Sequence, residues 1–228
     1  MSGCFDFKEF VSIDENNVVH YKIRVAAAAV ETCGGPSEPG DLTIRKGEDP
    51  SQTLGTFLSQ GICRATANAA QKGIADFCRT FSIYDPAITL IQKKTRYYQG
   101  RDFMCEIMFE GKLSSFINNG TWMGLQESES DAGTPTISRL SARTIKISFQ
   151  LKSNRPATDK CQQLELLKES SKDRWLEIKV SGPRVITSNG VISEDNKTAQ
   201  IKIPISKILG CGSSTTFDTD MELNNALD

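Results

Sequence analysis

Apolar and polar residues alternate along most of the chain, which predicts a protein built largely of β-strands. The clearest example is 145–152, where isoleucine, phenylalanine and leucine occupy every second position and polar residues the others. A strand of this kind has one buried and one solvated face, which favours antiparallel pairing. Less regular alternation predicts further strands at 5–13, 18–30, 88–98, 103–113, 176–180, 185–188 and 199–205. The first two would form a hairpin with a turn at 15–17, and 88–98 would form a second hairpin with 103–113.

The segment 51–81 has the period of a helix instead. Apolar or small residues recur there every three or four positions, as on the buried face of a helix. They are Cys63, Ala67, Ala70, Ile74 and Cys78. In an unbroken helix, Cys63 and Cys78 would lie about 22 Å apart, whereas a disulfide requires Cα atoms within about 7 Å. We therefore expect these two cysteines not to pair with each other. A second, shorter helix is expected at 159–171.

The order of these elements is strands, helices, strands, a helix and strands, which indicates an α+β fold. We expect a curved, mostly antiparallel sheet of about seven or eight strands with helices packed on one face. Residues 1–211 would form one domain, with the helical segment at about 51–81 between two groups of strands, and 212–228 would be a flexible polar tail. Between helix and sheet, an apolar ligand would be lined by Ala67, Ala70, Ile74, Phe103, Ile107 and Phe109.

The seven cysteines are informative about the compartment. Apart from Cys4, the other six are widely spaced, an even set that suits about three disulfides in an oxidising compartment. These six candidates are Cys33, Cys63, Cys78, Cys105, Cys161 and Cys211. A zinc site would require closely spaced cysteine pairs, which the sequence lacks. Buried free thiols in a cytosolic protein are the remaining alternative.

The first residues, Met1-Ser2-Gly3-Cys4, have the pattern that remains after a bacterial lipoprotein leader has been cut away. Cys4 would then be the mature N-terminus and the site of lipid attachment, for example of palmitate, and the signal peptide would already be gone. The protein would lie outside the cytoplasm and reach the membrane through this anchor only. The alternative is that these are ordinary N-terminal residues, since the pattern is short.

Composition excludes several classes of partner. The chain of 228 residues is 38% hydrophobic and 24% charged, with a net charge of −1, which is typical of a soluble globular protein. A protein so close to neutral has no overall field that would attract nucleic acid. No apolar stretch approaches the ~20 residues needed to span a bilayer.

Catalytic candidates are few. The single histidine, His20, lies on a predicted strand among basic residues, as expected of a solvated surface. Glu106 and Glu110 stand at strand spacing and could act as acid and base or as calcium ligands, although a solvated strand face is the simpler interpretation. The segment 93–98 mixes basic and aromatic residues as single-strand nucleic-acid binders do, but is more typical of a surface strand or a local binding patch. We expect no enzyme activity, no cofactor and no metal.

Two segments near the C-terminal end carry a recognisable pattern. In 174–190, Trp175 opens an alternating strand, followed by Gly182-Pro183-Arg184-Val185 and the turn Ser188-Asn189-Gly190. In 194–201, an acidic-asparagine turn leads into the last strand. At the other end of the chain, Ser-Gly-Cys precedes an alternating strand, another acidic-asparagine turn and a second strand. This combination resembles the bacterial surface lipoproteins of the LppM type.

The resemblance implies an exported, lipid-anchored domain of mixed α/β fold in the bacterial cell envelope, at the outer membrane or cell surface. It also implies a domain that binds lipids or glycolipids and catalyses nothing, and it transfers a role to Cys4 alone. The six further cysteines depart from the pattern. The membrane helix in which the family often ends is also absent from this sequence, unless it was trimmed away. The alternative function is an envelope lipoprotein that binds another protein in assembly, secretion or host contact, through a surface such as Met104 with Met108.

Overall fold

The computed structural model describes residues 6–28, 65, 67–98, 102–117, 135–152, 174–208 and 214–227. The strands in these ranges are β1 (Asp6–Ile13), β2 (Val18–Ala28), β3 (Ile88–Tyr98), β4 (Asp102–Lys112), β5 (Thr136–Arg139), β6 (Thr144–Lys152), β7 (Trp175–Ser181), β8 (Arg184–Ser188), β9 (Val191–Ile192), β10 (Thr198–Pro204) and β11 (Ser214–Glu222). The helical elements are α1 (67–80), a 3₁₀ turn (Leu113–Ser115) and α2 (Ile205–Ile208). The described chain is thus mostly sheet, with less helix than the sequence predicted.

The strands form two sheets rather than the single sheet expected. The large sheet has seven strands in the order β3-β4-β2-β1-β7-β10-β9, and the small sheet has four in the order β5-β6-β11-β8. Strands β1 and β7 pair in parallel, and the other strand pairs are antiparallel. The mostly antiparallel pairing is therefore confirmed for the large sheet. The single sheet of about seven or eight strands is not, because two of the strands assigned to it, β6 and β8, lie in the small sheet.

One hydrophobic core joins the two sheets and α1. Every second residue of the central strands points into it: in β7, Leu176, Ile178 and Val180 are at most 3% exposed. In the small sheet, the buried rings of Phe149 and Phe217 lie with their centroids 6.0 Å apart. Burying an apolar side chain of this size stabilises the fold by about 1.5–3 kcal/mol relative to an exposed position.

The predicted apolar stripe is buried along α1. Ile74 is 5% exposed and Cys78 is 3% exposed. Cys78 forms a disulfide with Cys105 of β4, with 5.7 Å between their Cα atoms. This bond ties the helix to the large sheet and leaves Cys78 with no thiol to offer Cys63. A disulfide at this position is what an oxidising compartment would permit.

The C-terminal end of α1 has two further attachments to the large sheet. The ring of Phe81 stacks on Phe109 of β4 with 6.1 Å between centroids. Lys93 of β3 donates hydrogen bonds of 3.1 Å from Nζ to the carbonyl oxygens of Arg79 and Phe81. A lysine in this place satisfies carbonyls that the end of a helix leaves without partners. The C-terminal end of α1 is therefore held to the large sheet by a disulfide, a ring contact and two hydrogen bonds.

The prediction of a flexible tail at 212–228 is wrong. Strand β11 lies inside the small sheet and pairs with both β6 and β8. Its inward residues Phe217, Thr219 and Met221 are fully buried. The strand was missed because a threonine stands among its inward residues and acidic residues occupy most of the outward positions, which weakens the apolar alternation that marks a strand.

Several predictions concern residues outside the described ranges. They are lipid attachment at Cys4, the start of the helical segment at 51–64, the helix at 159–171, and the cysteines Cys33, Cys63, Cys161 and Cys211. Within the described ranges, no helix is both long enough and apolar enough to cross a membrane.

Candidate functional site

The six residues predicted to line an apolar ligand lie in or against the packed interior. Ile74, Ile107 and Phe109 are buried members of the core. Ala70 and Phe103 are partly buried against the core, and Ala67 is buried on α1. None of the six lines the cavity described below. A ligand bound among them remains a prediction.

A buried polar pair lies on the core-facing side of the large sheet. Glu9 of β1 is 3% exposed and accepts a hydrogen bond from the hydroxyl of Tyr21. The Tyr21 ring stacks on Phe109 with 4.8 Å between centroids. Burial raises the pKa of Glu9 from 4.5 to about 7, and the hydrogen bond from Tyr21 opposes the rise. Glu9 therefore changes charge near neutral pH while enclosed in the core.

A cavity of about 600 Å³ opens where the β1–β2 turn, the end of β4, the end of β5 and the C-terminal residues meet. We call it the turn-end cavity. Its apolar lining consists of Val18, Leu113, Ile117, Ala226 and Leu227. Its polar lining consists of Asn16, Asn17, Lys112, Ser114 and Arg139. The cavity therefore offers both an apolar surface and hydrogen-bonding groups.

Backbone geometry fixes the wall formed by the β1–β2 turn. Asn17 has a φ of 58°, a left-handed conformation that asparagine tolerates better than most residues. Its carbonyl oxygen accepts a hydrogen bond of 2.8 Å from the Leu113 amide, which joins the turn to the 3₁₀ turn after β4. Asn225 Nδ2 donates a 2.7 Å hydrogen bond to the carbonyl oxygen of Glu15. The C-terminal residues are thereby held against the same turn.

The polar groups of the turn-end cavity are suited to a hydrogen-bonding or anionic group. Lys112 and Arg139 are both cations, and the described lining contains no carboxylate. Arg139 donates to the carbonyl oxygens of Leu227 at 2.9 Å and Ser141 at 3.2 Å, which holds its guanidinium at the wall. Asn17 Oδ1 is buried and has no hydrogen-bond donor among the described residues. Because this oxygen is buried, a ligand could contact Lys112 and Arg139 but not this atom.

The other face of the large sheet carries an ion-pair network around Glu106. Oε2 of this residue lies 2.8 Å from Lys22 Nζ, 2.9 Å from Arg24 Nη2 and 3.6 Å from Arg96 Nη2. Gln92 donates a 2.8 Å hydrogen bond to Oε1. Burial would raise the pKa of Glu106, but the hydrogen bonds and charges of these neighbours lower it to about 2. Glu106 is therefore a counter-ion for three cations.

Two interpretations of this face are wrong. Met104 is fully buried, so it does not form an exposed contact surface with Met108. Glu110 belongs to a separate, exposed pair, 3.1 Å from Nδ1 of His20, and does not share a site with Glu106. His20 itself is 47% exposed in its side chain, and its Nε2 lies 3.6 Å from Asp14, as expected of a surface residue.

Strand β3 forms an edge of the large sheet. Leu90, Ile91 and Tyr97 are 40%, 52% and 56% exposed, and the pairing with β4 is irregular between Leu90 and Gln92. The basic residues of 93–98 are engaged within the molecule, since Lys93 binds the end of α1. Within the described ranges, no three His, Cys, Asp or Glu side chains are placed to hold a metal ion.

The sequence analysis missed the turn-end cavity. Its lining comes from four separate stretches at 16–18, 112–117, 139 and 226–227, and no sequence pattern brings these together. The turn signal at 15–17 predicted the hairpin but gave no indication of a site. The last stretch was assigned to a flexible tail.

Comparison with known proteins adds little. No family model matches the sequence, and no curated protein matches it. Among solved structures, the NMR structure of the folded domain of LppM from Mycobacterium tuberculosis is similar, with a TM-score of 0.46, 11% sequence identity, and coverage of 98% of this chain and 92% of that chain. At this identity and TM-score the similarity places the chain in no family.

Proposed function

We propose that the protein is a lipid-anchored domain of the bacterial envelope that binds an amphipathic ligand, such as a lipid or glycolipid, without catalysis. The observation that carries the proposal is the turn-end cavity. Its volume of about 600 Å³ falls within the range of about 300–1,000 Å³ that is usual for ligand pockets. The anchor would be the lipid on Cys4, and the disulfide between Cys78 and Cys105 supports an oxidising compartment.

The lining of the cavity favours a ligand with two chemical parts. Val18, Leu113 and Ile117 would contact an acyl chain or another apolar group. The cations Lys112 and Arg139 would bind a phosphate or another anionic part of the headgroup. A ligand without any apolar part would leave the apolar surface uncovered, and one without a polar headgroup would leave the two cations without a ligand partner.

Native mass spectrometry of the protein purified from its own membranes tests the proposal. We expect a mass excess on Cys4 and a co-purified lipid. Ala226→Trp places a large ring in the cavity lining and should abolish the bound lipid, whereas Asn224→Trp, on an exposed neighbour outside the lining, should retain it. The proposal fails if the unaltered protein is purified without a bound lipid, or if both variants retain the bound lipid equally.

A second candidate function is protein binding, and the exposed edge strand β3 favours it. Unpaired edge strands can accept an extended segment of another protein, and Ile91 is a 52% exposed apolar residue on this edge. In that case native mass spectrometry of the acylated protein would detect a bound protein and no co-purified lipid ligand. The substitution Ile91→Lys should release that protein, whereas Ile186→Lys, on another exposed isoleucine, should not.

A further inference from the structure

We propose that the protein stands on its own membrane with the start of β1 towards the lipid, so that the turn-end cavity points away from that membrane. The inference rests on the proposed function, because it assumes a lipid on Cys4 and a ligand in the cavity. It adds the direction from which the ligand must come, namely the space or the second membrane opposite the anchor.

The length of β1 separates the anchor from the cavity. Cys4 lies two residues before Asp6, where β1 begins, so its Cα is within about 7 Å of that end of the strand. From Asp6 to Ile13 the strand advances about 23 Å at ~3.3 Å per residue. Asn16 and Asn17, which line the cavity, follow directly after the far end. The acyl group and the cavity are thus at opposite ends of one strand.

Strand register defines the end of the sheet near Cys4. Asp102 pairs with Tyr98 on one side and with Ala28 on the other. The backbone amide of Trp175 donates a 3.0 Å hydrogen bond to Asp6. The ends of β2 and β3 and the starts of β1, β4 and β7 therefore lie together. We call this the anchor end.

Side chains at the anchor end suit the interface of a bilayer. Tyr97 is 56% exposed, and its ring packs on Phe103 with 5.4 Å between centroids. Lys202 Nζ lies 4.6 Å from the centre of the Trp175 ring. Tyrosine and tryptophan are enriched at the level of lipid headgroups, and lysine extends its charge towards them.

The carboxylates of the anchor end do not oppose an anionic membrane surface. Arg174 Nη1 lies 3.1 Å from Asp6, and Arg174 Nη2 lies 3.5 Å from Asp102. The single charge of Arg174 offsets one of these two carboxylates, and Lys202, beside Trp175 at the same end, supplies a second positive charge. The cavity end also exposes an apolar side chain, since Leu140 is 54% exposed. Exposure alone does not choose between the two ends, and the choice follows from the covalent position of Cys4.

Quenching of tryptophan fluorescence by brominated lipids tests the orientation. The chain contains two tryptophans, so Trp122→Phe leaves Trp175 as the sole probe at the anchor end. Adding Trp175→Phe and Leu140→Trp moves the probe to the cavity end. Each acylated full-length variant is purified from its membranes, checked by mass at Cys4 and reconstituted in vesicles of plain or brominated phosphatidylcholine. We expect several-fold stronger quenching of Trp175 than of the probe at position 140.

The outcomes separate the orientation from the proposed function. The orientation is overturned if the acylated protein shows equal quenching of Trp175 and of the probe at position 140, or quenching of neither. Either result leaves the lipid anchor on Cys4 intact. An unmodified Cys4 overturns the anchor and the orientation together. Hydrogen exchange of the unaltered acylated protein needs no substitution. Residues 205–208 lie at the anchor end, where the Ile205 amide donates a 2.9 Å hydrogen bond to the carbonyl oxygen of Arg174. Vesicles should slow exchange at 205–208 and leave 139–143 unchanged, and the reverse result would contradict the orientation.

Discussion

Glu9 and Glu106 lie on opposite faces of the large sheet, and both are 3% exposed. Their pKa values are nevertheless shifted in opposite directions. Glu9 faces the core, and its partner is the neutral hydroxyl of Tyr21. Its pKa is raised to about 7. Glu106 faces the other way, among Lys22 and Arg24, and its pKa is lowered to about 2.

The difference shows that burial alone does not determine the charge of a carboxyl group. Burial disfavours the ionised form on both faces, and the outcome depends on whether cations replace the lost water. On the outward face they do, so Glu106 keeps its charge and its neighbours keep a counter-ion. On the core face the partner is neutral, so Glu9 gains most by keeping its proton.

The largest expected effect comes from removing the charge of Glu106. Glu106→Gln preserves the shape of the side chain but leaves Lys22, Arg24 and Arg96 without their shared counter-ion. We expect the free energy of unfolding to fall by about 3 kcal/mol, measured by urea denaturation at neutral pH. The pKa of Glu106 is lower in the folded protein than in the unfolded one. The loss of stability in the variant should therefore be complete above about pH 4.5 and decrease towards about pH 2.

Glu110→Gln is the matched control, on the same strand and the same face. Glu110 pairs with His20, and both side chains are more than 40% exposed, so the substitution should cost less than about 1 kcal/mol. Equal losses of stability in the two variants would show that burial does not increase the contribution of Glu106 to the free energy of unfolding.

An intermediate effect of opposite pH dependence is expected at Glu9. Its folded pKa is raised from 4.5 to about 7, so the folded protein holds an extra proton in this window and loses stability as the pH rises through it. Glu9→Gln removes this titration. The free energy of unfolding of the variant relative to the unaltered protein should rise by about 2.5 kcal/mol between about pH 5 and about pH 9.

Urea denaturation at the two pH values measures the effect. Glu15→Gln, on an exposed glutamate of the β1–β2 turn, should change stability by less than about 0.5 kcal/mol at either pH. A difference between Glu9→Gln and the unaltered protein that does not vary with pH would mean that Glu9 is not titrating in the core.

The smallest effect compares two adjacent lysines of β3 that point to opposite faces. Lys93 binds the carbonyl oxygens at the end of α1, whereas Lys94 makes a 3.1 Å contact with the exposed side chain oxygen of Gln92. Lys93→Met should lower the free energy of unfolding by about 0.5–1 kcal/mol. Lys94→Met should change it by less, and the opposite order would contradict the assignment of Lys93 as a helix cap.

Local features of the fold were readable from sequence. The two hairpins, β1 with β2 and β3 with β4, and the inward residues of β7 follow from a period of two residues. The burial of Ile74 and Cys78 follows from the period of α1. These predictions succeed because each depends on neighbours a few positions away in the chain.

Features that depend on distant contacts were not readable. Alternation placed Met104 and Glu106 on one face of β4 but did not reveal that these two residues are buried, since alternation does not show what covers a strand. The division into two sheets depends on which strands pair, as in the parallel contact of β1 with β7. The turn-end cavity likewise requires four separated stretches to meet, so neither its position nor its lining could be predicted.

The position of β11 also bears on how the protein is made. Within the small sheet it lies between β6 and β8, and it follows both of them in the sequence. A ribosome or export channel that releases the chain from its N-terminus therefore delivers β6 and β8 before the strand that joins them. Unpaired strand edges of this kind promote aggregation. The core can close only after Ser214–Glu222 has emerged, so folding during synthesis or transport must stop short of the native state.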